Sequence, residues 1–244
     1  MTTYSQADTH SQWFADDYQG TIIRPNVLVL HTTEGSTWPT YGGGASAPHL
    51  TAMPDRTNKK VLFRQHYPFE VSARALRNLP GGVETNTLNC VQIELVGTCA
   101  PGARAEHPTW MFWPEAPGWA LAGLAEFVAE LHEKFASFPL TDAAPRGWLA
   151  YPDSYGNANR QRMTTAEWQD SVGVLGHQHV PENDHGDPGN FPIAQLLDLA
   201  GPEKLTQMQR VRRTLKAMRE RAIIAGKQGR AERIQAALDI LPKE

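Results

Sequence analysis

Asn26-Val27-Leu28-Val29-Leu30-His31-Thr32-Thr33-Glu34-Gly35-Ser36 opens on a short, continuous apolar run and ends in polar residues. A β-branched run of that length, closed by turn formers, reads as a buried strand. His31 then stands where a central strand exits into a loop, and polar groups at strand ends line the crevices of open sheets. A lone histidine there is by default structural, so its meaning depends on what else the chain supplies.

Two other stretches bear on it. In Val91-Gln92-Ile93-Glu94-Leu95-Val96-Gly97, apolar residues flank Glu94 on both sides. A carboxylate in an apolar strand is costly unless it is paired, hydrogen-bonded or near a cation, the alternative being an edge strand with Glu94 and Gln92 turned to water. The second stretch, Gly176-His177-Gln178-His179-Val180-Pro181-Glu182-Asn183-Asp184-His185-Gly186-Asp187-Pro188-Gly189, packs three of the nine histidines and three acids into one loop. Imidazole and carboxylate are the ligands zinc takes outside thiolate sites, and a catalytic zinc needs three plus an open position. The competing reading is a polar surface loop around an Asp-Pro-Gly turn.

Together, Val-Leu-His-Thr-Thr, Gln-Ile-Glu and Gly-His…Asp-Pro-Gly, in this order and with ten residues from His177 to Asp187, resemble the type-2 N-acetylmuramoyl-L-alanine amidases. These share a fold with the peptidoglycan recognition proteins. The loop is most similar to amidase domains of lysins from phages of actinobacteria, and the resemblance runs from about Asn26 to Leu199. It implies an α/β domain with a central mixed sheet flanked by helices. It also implies one Zn²⁺ per chain on His31, His177 and Asp187, with Glu94 as the residue that takes a proton from water. Gln92 stands where the family usually has glycine. His185 stands where many members carry a lysine, and the resemblance makes it the donor to the oxyanion. His49, in Ser46-Ala47-Pro48-His49, matches a strand that borders the groove, where it either lines the groove or packs. The bond cleaved in the family joins the lactyl group of N-acetylmuramic acid to L-Ala of the stem peptide in bacterial peptidoglycan.

Among the remaining residues, His179 lies two positions from His177 and is expected to point away from the metal, while Glu182 and Asp184 are candidates to orient ligand imidazoles. Leu121, Leu124, Phe127, Val128 and Leu131 recur at helical spacing within 119–135. Residues 146–162 form a long irregular insertion before Thr165-Ala166-Glu167-Trp168. There Trp148, Tyr151 and Tyr155 either stack on sugar faces, with Trp148 and Tyr155 the substrate contacts, or pin the loop to the body.

The chain of 244 residues, 41% hydrophobic, is long enough for one sizeable core and a small appendage. That divides it into a zinc amidase domain over 1–202 and a basic appendage over 203–244. The appendage carries eleven Lys or Arg against five acids, while the net charge of the whole chain is −3. Met208, Val211, Leu215, Met218 and Ala222 make one stripe, and Ile234, Ala237, Leu238 and Leu241 a second, interrupted at Gly226 and Gly229. The expectation is a helical hairpin packed on the domain, on a second copy, or against anionic polymers. Cys90 and Cys99 bracket a strand and form no Cys-x-x-Cys pair, which argues for reduced thiols and against thiolate zinc. The first twenty residues lack the apolar core of a signal peptide, and no span suits a membrane. A wall hydrolase of this kind is expected to await lysis in the host cytoplasm, as a phage endolysin, with a virion-borne enzyme as the alternative. A peptidoglycan-binding module without catalysis is another reading, disfavoured by the complete ligand set. A nucleic-acid-binding protein is disfavoured by the acidic body and the absence of a recognised motif.

Overall fold

Six strands form one mixed sheet in a computed structural model that describes residues 1–86, 89–201, 215, 218–219, 222–223 and 226–240. They are β1 (Ala7–Asp8), β2 (Val27–Thr32), β3 (Leu50–Asp55), β4 (Lys60–Gln65), β5 (Cys90–Leu95) and β6 (Gly173–Gly176). Their order is β1-β4-β3-β5-β2-β6. β3 runs antiparallel to β4, and the other pairings are parallel. The apolar run at 27–32 is therefore an interior strand between β5 and β6, and every residue of it is buried. Glu94 also lies on an interior strand, so the edge-strand alternative does not hold.

Period-two alternation sorts these central strands between two faces. Leu28, Leu30, Val91, Ile93 and Leu95 point into the main core. There they meet α2 (Gly118–Lys134), whose Leu121, Leu124, Phe127, Val128 and Leu131 form the buried stripe that the spacing predicts. Each fully buried side chain of this kind contributes roughly 1.5–3 kcal/mol. α4 (Ile193–Ala200) packs beside α2 through Ile193 and Leu196. Val27, Val29 and Cys90 face the other way, into a smaller cluster with Leu175, Val180 and Trp168. Trp168 is carried by α3 (Thr165–Gln169), which Thr164 and Glu167 cap reciprocally. His31, Gln92 and Glu94 share this second face by parity, so the face is only partly filled with apolar side chains.

A short helix α1 (Pro101–Glu106) follows β5. Cys90 and Cys99 are both buried free thiols. Residues 146–162 contain no helix or strand. In the appendage, Gly226 turns the chain at φ 67°, with Lys227 N–H donating to Ala222 O and Gly226 N–H to Ile223 O, a glycine-terminated helix end. Helix α5 (Gln228–Ile240) buries Ala231, Ile234 and Leu238, in place of a stripe continuing through Ala237. Met208, Val211 and Leu241 lie outside the described residues. No helix among the described residues is long and apolar enough to cross a membrane.

Candidate metal centre

Strand register assembles the site. His31 pairs with Glu94 across β2 and β5, and Glu94 pairs with Thr51 across β5 and β3. Leu30 pairs with Gly176, so the chain leaves β6 directly into His177. β5, β2 and β6 thus end nearly level with one another while β3 begins beside them, and Thr51, Glu94, His31 and His177 follow in a row. This is the carboxyl edge of a largely parallel stretch of sheet, where crevices form.

The loop after β6 brings Asp187 back to that row. Gln178, fully buried, staples its two ends: its N–H donates to Asp187 O at 3.0 Å and its Nε2 to Gly189 O at 2.7 Å. Among the described residues, His31, His177 and Asp187 form a buried cluster able to hold a metal ion, with ligand atoms within 4.8 Å of one another. His31 Nδ1 lies 3.0 Å from His177 Nδ1, and His177 Nδ1 lies 3.2 Å from Asp187 Oδ1. Ligand atoms at the corners of a tetrahedron around zinc, with bonds of 2.0–2.1 Å, stand about 3.3 Å apart. The spacing fits.

Proton bookkeeping fits as well. Asn183 Nδ2 donates to Pro181 O and Arg77 O, and its Oδ1 accepts from Arg77 N–H, so the amide orientation is fixed. His177 Nε2, 3.0 Å from that Oδ1, must then carry the proton, which leaves a lone pair on Nδ1 facing the cluster. One proton can bridge the two imidazoles, or an imidazole and Asp187, but not both contacts. A cation satisfies all three groups. His31 Nε2 is buried with no hydrogen-bond partner among the described residues, none of which fixes its tautomer through that atom. Burial, and then the neighbouring His177, hold the His31 pKa well below the ordinary value, which favours the neutral, ligating form. Burial opposes ionisation of Asp187, but His177, His31 and the Thr32 amide together keep its carboxyl well below the usual range.

Glu94 lies beside the cluster without joining it, its Oε1 4.0 Å from His31 Nδ1. Its Oε2 is buried and has no hydrogen-bond partner among the described residues. Burial first, then the charges of Asp187 and Glu34, push its pKa well above the usual value. Glu34, at φ 48°, accepts from Thr32 Oγ1 at 2.6 Å, from Cys99 N–H at 3.1 Å and from Thr98 Oγ1. Tyr41 donates to Thr51 Oγ1 at 2.5 Å, Thr51 donates to His66 Nε2 at 2.8 Å, and His66 Nδ1–H donates to Gln12 O. Burial, and then the Glu94 charge, push the Tyr41 hydroxyl far up.

Several expectations need correction. His49 does not line a groove: it is fully buried, Nδ1 accepts from Gln92 N–H and Nε2 bonds Val71 O. Both ring nitrogens serve the backbone, so His49 is a packing residue. Trp148 is not displayed for a sugar either. It packs on the core between His179 and Phe191, and its indole N–H donates to Asp142. A Cβ on Gly176 would come within 2.6 Å of the Trp148 ring, which shows how tightly it is seated. Tyr155 is 53% exposed, its ring 6.5 Å from that of His185. His185 stacks on His177 at 4.9 Å, is largely exposed, and has Nδ1 3.8 Å from Asp187 Oδ1. His179 turns away from the ligands, with Nδ1 accepting from Gly176 N–H and Nε2 bonding Gly147 O.

Ligand orientation falls to Asn183 rather than to Glu182 or Asp184, because Glu182 accepts from Val83 N–H and Asp184 pairs with Arg77. Glu182 has φ 62°, a turn that presents Asn183 to His177. Replacing Asn183 by Leu is expected to weaken metal affinity about 10–100-fold, the usual effect of losing a group that orients a ligating histidine. Competition with a chromophoric chelator measures it, and unchanged affinity would remove Asn183 from the site. No protein-family model, curated protein or solved structure matches the chain.

Proposed function

We propose that the chain is a zinc-dependent peptidoglycan amidase of the type-2 class. It cleaves the amide between the lactyl group of N-acetylmuramic acid and L-Ala, and serves as a phage endolysin. The observation that carries the reading is the register of Glu94 beside His31, next to two imidazoles and a carboxylate at tetrahedral spacing. His31, His177 and Asp187 would hold the ion. When bound, zinc supplies a Lewis acid that polarises a carbonyl and brings the pKa of water near 7. Glu94 is the proton carrier: its Oε2, without a hydrogen-bond partner among the described residues, accepts a proton from water and delivers it to the departing amine. Tyr41, Thr51 and His66 form a fixed chain that sets the Tyr41 hydroxyl at the wall near Glu94. His185 flanks the ligands on the solvent side, where a ring N–H reaches a substrate oxygen more readily than a buried group would.

Purified cell walls test this. Turbidity is expected to fall with new L-Ala amino termini and no new reducing ends, and a chelator is expected to abolish the effect. Sedimentation with walls without clearing would indicate a binding module, and new reducing ends a glycosidase.

A further inference from the structure

Arg162 is 8% exposed, yet no carboxylate pairs with it among the described residues. Its guanidinium is spent on backbone carbonyls. Nε donates to Gly156 O at 2.7 Å, Nη1 to His177 O at 3.1 Å and Val180 O at 3.0 Å, and Nη2 to His185 O at 2.7 Å. The planar fork with fixed donor directions is what allows one side chain to serve four carbonyls at once. Three of these belong to the loop that carries His177 and ends at Asp187, and the fourth belongs to the 146–162 insertion.

The insertion touches the same loop elsewhere. Gly156 N–H donates to Asp184 O at 2.7 Å, and Leu149 N–H to Gln178 Oε1 at 2.9 Å. A Cβ at Gly186 would meet Ser154 Oγ at 2.5 Å and Tyr155 N at 2.7 Å, so the two segments lie in direct backbone contact. An irregular segment without ladder hydrogen bonds holds its shape through such contacts.

We propose that Arg162 is the positioning residue of the ligand loop, clamping His177 and His185 to the insertion so that the insertion sets the ligand spacing. This rests on the metal reading above. It follows that zinc binding and order in 146–162 are coupled, and that Tyr155, carried by the insertion next to His185, moves with the ligands.

Zinc affinity of the full chain, measured by chelator competition, tests the clamp. Arg162→Met is expected to raise the Kd 10–100-fold. Arg162→Lys, which keeps the charge but loses the fork, is expected to raise it about tenfold, so charge alone gives only partial rescue. Arg146→Met is expected to leave it unchanged, because the Arg146 guanidinium pairs with Glu167 of α3 at 2.6 Å. Arg162 variants that melt cooperatively and bind zinc within twofold of the parent overturn the proposal while leaving the ligand assignment intact. No zinc uptake by the unaltered chain overturns both. Should the variants fail to fold, hydrogen exchange on the unaltered chain decides. Zinc is expected to slow the Leu149 and Gly156 amides together with Gln178, and slowing confined to the ligand loop overturns the coupling.

Discussion

Glu94→Gln is expected to keep the metal and lose hydrolysis by 10²–10⁴-fold, the range that a positioned proton carrier contributes. Gln fills the same volume on β5 but accepts no proton. The same variant makes a second prediction with the opposite sign, on stability. The folded-state pKa of Glu94 is raised by burial and by the charges of Asp187 and Glu34. A group raised in the fold contributes stability at low pH and loses it as pH rises through the folded value. As pH rises in chelator, the folded parent therefore loses stability that a non-titrating Gln at this position does not lose. The metal-free variant is expected to melt higher than the parent at pH 8, with the gap closing toward pH 4. Near-normal turnover would remove Glu94 from the mechanism. A variant melting lower than the parent at pH 8 would show that the carboxylate is not strained there.

How far the sequence carries depends on the kind of interaction. β2 was legible because a continuous apolar run needs no partner to be recognised, and α2 because its 3.6-residue stripe is local. The ligand triad was legible through motif order, since His31 and His177 lie 146 positions apart and no local rule joins them. Register was not legible. That His31 sits opposite Glu94 follows from pairing two interior strands, and that level is what turns a costly carboxylate into a neighbour of the cluster. Asn183 was missed because its role depends on the left-handed turn at Glu182, a residue with no preference for it. Arg162 was missed for a similar reason: a single basic residue in an irregular stretch reads as surface until four carbonyls are seen to converge on it. His49 and Trp148 stay open between two readings in the sequence because residue type suggests polarity or stacking, whereas their neighbours, Gln92 N–H with Val71 O and Asp142 with Gly176, seat them in the body.

In chelator, stability is expected to collapse between about pH 6.5 and pH 4. The cause is a set of buried histidines outside the metal cluster. His49, His66 and His179 are fully buried, and each is wired as one donor and one acceptor. Protonating His49 would set an N–H against the Gln92 N–H, and protonating His66 would set one against the hydroxyl hydrogen of Thr51. Burial, the leading cause in all three, lowers their pKa from 6.5 to about 4. The sign follows directly. Between the two values the unfolded chain binds more protons than the fold, so this stability is complete above pH 6.5 and is lost as pH falls. Each residue carries roughly 3 kcal/mol across that window, at about 1.4 kcal/mol per pKa unit. Three such residues together fall within the 5–15 kcal/mol that holds a typical domain together. The hydrogen-bonded carboxyl of Asp8, lowered to about 2, loses its contribution only below its unfolded value of 3.8, so it does not blur the window. Urea midpoints taken from pH 7.5 to 4.5 in the Glu94→Gln chain, which removes the opposing titration of Glu94, read the effect, with a slope from these residues approaching three protons. His66→Gln, which keeps a donor and an acceptor but does not titrate, is expected to remove about one of them. A flat profile, or an undiminished slope in that variant, would mean that the buried imidazoles accept protons in the folded chain.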